Sequence, residues 1–186
     1  MKIKVLSKSM PQLGSGLQRS EGLHVSNIIS DMAVELGMFE KRDDKKETDV
    51  RDCKFEMGFN WEETLGDAWA GRTSVYRPEE IVLDGIACSP DGIGCDDDGI
   101  YVAEYKHTWY SVNKNFSEQW YWLTQGKSYC KVVDCLRCIW EIAYVCGDYK
   151  YPINPQYRKV AVTFDEDEIE ENWISLINHA KAKGWL

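Results

Sequence analysis

Apolar side chains at Val25, Ile28, Ile29, Met32, Ala33, Leu36 and Phe39 recur every three to four positions. That spacing predicts an amphipathic helix over 25–39, started near His24 or Ser26 and stopped near Gly37. The stretch 40–52 carries charges of both signs and almost no apolar residue, which predicts a solvated loop or an extension of that helix. A second helix is predicted over 55–70, with Trp61, Leu65, Ala68 and Trp69 on it and Gly71 as its stop. The period then falls to two. Runs rich in Ile, Val and Tyr at 74–76, 81–87 and 100–105 predict three antiparallel strands, a small meander. The intervening Arg77-Pro78-Glu79-Glu80 and Ser89–Gly99 read as turns from their Pro, Gly and Asp content. Helical spacing returns over 116–133, with Trp120, Leu123 and Tyr129 among its apolar positions, and two strands are predicted at 136–145 and 160–164. A last helix follows Asp165 as N-cap, with acids in its first turn, Ile169, Trp173, Leu176, Ile177 and Ala180 on one face and lysines toward its end. No repeat or low-complexity linker divides the series. The expected fold class is therefore α/β, one domain over 1–186 in which a central mixed β-sheet is flanked by helices.

Composition narrows the classes. With 44% hydrophobic residues, eight Trp and ten Tyr, the chain has ample material for a core, which excludes a disordered or collagen-like polypeptide. No window approaches the roughly 20 apolar residues of a membrane span, and 1–14 lacks the apolar stretch of a signal peptide. A soluble, cytoplasmic protein is expected. Thirty-one acids against 22 bases give a net charge of −9, which argues against a nucleic-acid coat protein that works by bulk charge. It leaves room for a nucleic-acid enzyme, because a site that collects divalent cations must itself be acidic. Seven scattered cysteines, an odd number, predict reduced thiols in or near the core in place of a disulfide framework.

The chemistry concentrates in one strand. Alternation along Ile100-Tyr101-Val102-Ala103-Glu104-Tyr105-Lys106 points Glu104 and Lys106 to the same face. In Ser89-Pro90-Asp91-Gly92, Asp91 lies just past the preceding strand, where a hairpin brings it back beside Glu104. Two carboxylates converging with a lysine are what metal-assisted hydrolysis of a phosphodiester needs: hard oxygen ligands for Mg²⁺ or Mn²⁺, and a cation to steady the attacking water and the charge growing on the phosphate. The plainer readings are a turn acid for Asp91 and an exposed charge pair for Glu104 and Lys106. The strand is apolar on both faces, with Val102 on one and Tyr101, Ala103 and Tyr105 on the other, which places the charges in a cleft. Asp84 is a further acid near the site for which a structural role is as good a reading. His107, pointing to the other face, is read as non-catalytic or as a phosphate contact.

In Pro90-Asp91 followed by Glu104-Tyr105-Lys106 the chain resembles the PD-(D/E)xK nuclease superfamily. Gly58-Phe59-Asn60-Trp61-Glu62 fits the Gly-x-x-x-Glu of its RecB-like and lambda-exonuclease-like (YqaJ) branches, and Gln125-Gly126-Lys127-Ser128-Tyr129 fits their Gln-x-x-x-Tyr, the two side chains one turn apart on a helical face. The resemblance implies a restriction-endonuclease-like core and a metal-dependent deoxyribonuclease, an exonuclease of DNA recombination, repair or phage replication, in the host cytoplasm if phage-encoded. It implies Mg²⁺ or Mn²⁺ held by Asp91, Glu104 and the backbone carbonyl of Tyr105, with Glu62 completing the shell; Glu63 is a rival that the Gly-x-x-x-Glu spacing disfavours. Lys106 then orients the water, since the adjacent anions oppose loss of its proton, and Gln125 and Tyr129 contact the scissile strand or a ligand carboxylate. DNA is the implied partner, with a homo-oligomer or a recombination protein left open and no membrane.

Charge and proximity in sequence nominate Lys114, Lys127, Lys131 and Arg137 as contacts to the DNA backbone. Trp109, Tyr110, Trp120 and Trp122 are candidates for base stacking, although core packing is the commoner fate of such residues. Some RecB-like nucleases hold an iron–sulfur cluster through cysteines, and Cys53, Cys135, Cys138 and Cys146 invite that comparison. It is set aside, and zinc with it, because Cys138 and Cys146 fall in or at the edge of an apolar strand. The reading from another class is an inactive relative that keeps the fold to bind DNA or protein. Against it, every position of the signature holds a chemically competent residue.

Overall fold

The structure, a computed structural model, describes residues 20–38, 57–58, 60–61, 75–108, 115–144 and 156–186. Among them are helices α1 (Val25–Glu35), α2 (Trp120–Val133) and α3 (Glu166–Ala182). The strands are β1 (Leu23–His24), β2 (Ile81–Leu83), β3 (Ile86–Cys88), β4 (Gly92–Asp96), β5 (Gly99–Thr108), β6 (Arg137–Tyr144) and β7 (Gln156–Thr163). The central sheet runs β4-β5-β6-β7 and is mixed: β5 and β6 are parallel, joined through α2, and the outer pairs are antiparallel. Hydrogen bonding sets β1-β3-β2 apart as a second, three-stranded sheet, where the sequence predicted a single one. The fold is α/β, with a central mixed sheet flanked by helices.

One hydrophobic cluster joins both sheets to all three helices. Ile28 and Ile29 of α1, Ile86 of β3, Val102 of β5, Trp140 and Ile142 of β6, and Trp173 and Leu176 of α3 are buried within it. Each such side chain contributes roughly 1.5–3 kcal/mol when fully buried, so the elements are held chiefly by this shared core. Helix α2 lies tight on β6. A Cβ on Gly126 would stand well inside van der Waals distance of the Trp140 ring, so only a glycine lets the helix approach this closely. Helix α3 begins with Glu168 accepting from the Asp165 N–H at 3.1 Å and with Glu166 and Asp167 at its positive end.

Several expectations are corrected. The predicted strand over 81–87 is a hairpin, turned at Asp84 (φ 51°) and Gly85 (φ 78°), the pair of positive φ values of a type I′ turn. Asp84 accepts the Trp173 indole N–H at 2.9 Å, which ties the hairpin to α3 and makes its role structural. The segment read as turn after Asp91 contains β4, paired with β5 from Gly92–Ala103 to Asp96–Gly99. At the start of the meander the described pairing is a single bridge, Tyr76 to Ile93. Strand β7 begins four residues earlier than predicted, and α1 ends at Glu35, with Gly37 at φ 68°. Of the helix predicted over 55–70, residues 57, 58, 60 and 61 are helical and the rest lies outside the described residues.

Candidate active site

The register of β4 against β5 positions the first acid. Because Gly92 pairs with Ala103, Asp91 falls beside the next turn of β5 backbone, and its Oδ2 accepts the N–H of Tyr105 at 2.8 Å. Glu104 and Lys106 share the face of Val102, the face covered by α2, and Glu104 is only 1% exposed. Its Oε2 is ion-paired with the Lys106 ammonium, whose side chain is 20% exposed and so reaches the rim of the site. The opposite face, with Tyr101, Ala103 and Tyr105, packs with Ile139, Trp61 and Val75. Both faces are thus covered, and the acid–lysine pair lies between sheet and helix.

Helix α2 supplies the roof. Gln125 and Tyr129, one turn apart, are both buried, and the Gln125 Nε2 donates to the Tyr129 hydroxyl at 3.0 Å. Burial, then the carboxylates of Glu104 and Asp91, push the Tyr129 phenol well above its ordinary pKa, so it stays protonated beside the two acids. Gln125 Oε1 is buried with no hydrogen-bond partner, an acceptor facing a cost of roughly 1–3 kcal/mol unless something donates to it. Burial also raises the Asp91 carboxyl, opposed by the Lys106 ammonium, the Tyr105 N–H and the Arg77 guanidinium.

The structure therefore brings Asp91, Glu104, Tyr105, Lys106, Gln125 and Tyr129 together. Glu62 and its rival Glu63, Lys114, Trp109 and Tyr110 lie outside the described residues. Two residues that sequence reasoning passed over also face the acids. Arg77 follows the Tyr76 bridge to β4 and so comes to Asp91; Arg-Pro-Glu-Glu reads only as a turn without that bridge. Cys138 pairs in register with Val102, and burial and then Glu104 hold its thiol far above the usual range.

Among the described residues, the nominated Lys127, Lys131 and Arg137 are engaged in ion pairs. Lys127 pairs with Glu168 at 3.3 Å and Lys131 with Glu170, both on α3. Arg137 pairs with Asp96 and, at 3.0 Å, with Asp98, its guanidinium over the Tyr101 ring. It stands three residues before Trp140, the register partner of Glu104, hence about 10 Å along the sheet from the acids. Trp120 and Trp122 pack against the core cluster, Trp122 with its ring 6.1 Å from that of Phe116. His107 lies on the Tyr105 face, and burial lowers its pKa, keeping it neutral.

The donor set suits a hard divalent cation: two carboxylates on adjacent backbone, one of them in surroundings that penalise its charge until a cation arrives. A separate group of Asp31, Glu35 and His179 between α1 and α3 also converges, but the Lys183 ammonium lies 2.7 Å from each carboxylate and already balances it.

No family model and no curated protein sequence matches the chain. Solved structures are similar. SSO0001 is 15% identical with a TM-score of 0.50, over 87% of this chain and 77% of that one. The alkaline exonuclease LHK-Exo from Laribacter hongkongensis is 14% identical with a TM-score of 0.49, over 84% and 79%. A phage-related exonuclease from Haemophilus somnus 129PT is 13% identical with a TM-score of 0.48, over 83% and 78%. At such identities the likeness is one of fold. In the order of its sequence motifs the chain resembles the PD-(D/E)xK nuclease superfamily.

Proposed function

We propose that the protein is a Mg²⁺- or Mn²⁺-dependent deoxyribonuclease that hydrolyses DNA phosphodiester bonds from ends. The observation that carries this reading is the convergence of Asp91, Glu104 and Lys106 at one point of the β4–β5 hairpin beneath Gln125 and Tyr129. Asp91, Glu104 and the Tyr105 carbonyl would hold the ion, with Glu62 as a further ligand. The ion, when bound, polarises the scissile phosphate and favours a hydroxide nucleophile. The Lys106 ammonium orients the attacking water and balances charge on the phosphoryl oxygens. Gln125 Oε1, a buried acceptor without a donor, takes a hydrogen bond from that water, and the protonated Tyr129 donates to the scissile strand. Arg77 is placed ahead of Lys127, Lys131 and Arg137 as the contact to the DNA backbone, because its charge acts on the Asp91 carboxyl.

The charge balance of the chain supports end-directed attack. Sequence-specific cleavage within duplex needs elements that read base edges, usually in a symmetric dimer. A net charge of −9 leaves only a local grip on phosphate, weak and salt-sensitive on long duplex. Threading a strand end into an acidic metal cleft tolerates that weakness, as does assembly of subunits around the DNA. Recombination, repair or phage replication is where such an activity serves, and the cytoplasm is where its substrate would be met. The test presents one plasmid as covalently closed circles and as a linear fragment, at low salt with Mg²⁺. Progressive loss of the linear form with the circle intact is expected; discrete bands or equal loss of both overturns the end-directed mode.

A further inference from the structure

Helix α2 ends in a Schellman turn built on a pair of cysteines. Asp134 takes the left-handed conformation (φ 57°), its N–H bonds the Lys131 carbonyl at 3.4 Å, and the N–H of Cys135 bonds the Cys130 carbonyl at 3.1 Å. In this motif the side chains three residues before the cap and two after it come into contact, a position ordinarily filled by two apolar residues. Here both are thiols, and the Cys135 thiol donates to the Arg137 carbonyl at 3.6 Å. We propose that Cys130 and Cys135 are a redox-active dithiol, with Cys135 the thiol that reacts with peroxide and Cys130 the one that resolves it to a disulfide at the end of α2.

The two sulfurs are unlike in the way the roles require. Cys130 is fully buried, and Cys135 is half-buried. The neighbouring Cys130 sulfur brings the Cys135 thiol down to about 7 against the burial that would raise it, which favours its thiolate. The Cys135 sulfur in turn is the leading cause that holds Cys130 up, ahead of its burial. In the first step the Cys135 thiolate attacks one oxygen of hydrogen peroxide, the O–O bond breaks, and Cys135 sulfenic acid and hydroxide form. A sulfenic acid carries no thiolate to accept the Cys130 proton, so that restraint on Cys130 is lifted. Cys130 loses its proton to the hydroxide, which becomes water, and attacks the Cys135 sulfur; the second hydroxide so expelled takes up the proton that Cys135 had released to solvent and leaves as water. Two thiols and one peroxide give one disulfide and two waters, with two electrons passing from sulfur to oxygen.

Among the described residues the other thiols are placed less well. Burial pushes Cys88 up to about 12 and Cys138 far above the usual range. Cys95 is exposed but lies on β4, with its sulfur turned to the Asp96 carbonyl at 3.8 Å. The backbone bond between Cys135 and Cys130 already closes the turn that carries both sulfurs.

The test does not depend on nuclease activity. Full-length reduced protein is treated with an approximately equimolar amount of hydrogen peroxide, blocked with N-ethylmaleimide and digested with trypsin, which cuts after Lys127, Lys131 and Arg137 and places Cys130, Cys135 and Cys138 on separate peptides. Expected is loss of two hydrogens from the intact chain and a disulfide linking 128–131 to 132–137. In Cys130→Ala, checked for folding by circular dichroism, a 1,3-dione trap should label Cys135 as sulfenic acid. A linkage from 132–137 to the peptide beginning at Cys138, or no linkage of 128–131 to 132–137 in the unmutated protein, overturns the proposal. So does a folded Cys130→Ala protein whose Cys135 takes no trap.

Discussion

The carboxylate of Asp91 accepts the backbone N–H of Tyr105 at 2.8 Å, so the acid before β4 is fastened to the backbone between Glu104 and Lys106. The bond fixes an acid whose burial raises its pKa above the ordinary 3.8, and that has a thermodynamic consequence. Unfolded, the group ionises near its ordinary value; folded, it binds its proton more tightly. Stability therefore falls as pH rises from the unfolded toward the folded pKa, and above that the full cost of ionised Asp91 persists. Asp91→Asn keeps an acceptor for the Tyr105 N–H and removes the charge. It should raise the metal-free melting temperature at pH 7, by about 2–4 °C for each kcal/mol relieved. Mg²⁺ or Mn²⁺ should raise the melting temperature of the unmutated protein and leave that of Asp91→Asn unchanged, as read by differential scanning fluorimetry.

Glu104 and Lys106 form a largely buried ion pair, and removing one partner of such a pair typically costs about 3–5 kcal/mol. Lys106→Met should lose about that much in urea denaturation. Glu104→Gln/Lys106→Met together should recover most of the loss, because the Glu104 carboxylate is then no longer left buried without its ammonium. Additive losses in the cycle would mean that the two side chains do not act as a pair.

Gly126→Ala tests the seat of α2. The added methyl meets the Trp140 ring, itself fully buried, and overpacking of this kind costs about 1–3 kcal/mol against a helix-propensity gain of at most about 1 kcal/mol. A net loss of stability is expected by urea denaturation. An unchanged or raised midpoint would show that α2 can lift from β6 at no cost.

The parts of the site set by local periodicity were legible in the sequence, and the parts set by tertiary pairing were not. Glu104 and Lys106 share a face because strands alternate, and Gln125 and Tyr129 align because helices repeat; both follow from spacing alone. Strand β4 was missed because Gly92-Ile93-Gly94-Cys95-Asp96 is poor in strand formers. Its packing comes from across the hairpin, where the Tyr101 ring lies so close over Gly94 that a side chain there would collide with it. The Asp84-Gly85 turn carried a recognisable hairpin signal inside a run that reads as one strand of Ile, Val and Leu. Lys127, Lys131 and Arg137 look available in sequence. Their acids, Glu168, Glu170 and Asp96, are about 40 residues away, and only the fold brings them together.

Those pairings set an expectation for DNA binding. Arg77→Ala should weaken binding to a linear duplex in metal-free buffer and reduce the slope of log K against log salt by about 1. Lys127→Ala and Lys131→Ala should leave that slope unchanged. A titration in which the two lysines change it and Arg77 does not would move the DNA path to the α2–α3 side.

If Asp91 and Glu104 hold the metal ion for DNA hydrolysis, the rate must depend on both the ion and the carboxylates. The direct measurement is the initial rate of nucleotide release from linear duplex by purified protein and by Glu104→Gln, each with Mg²⁺ and with a chelator. The predicted result is release by the unmutated protein with Mg²⁺ only, and a rate at least about 100-fold lower for a folded Glu104→Gln protein. Release by Glu104→Gln at the unmutated rate, or release that persists undiminished in chelator, would contradict it.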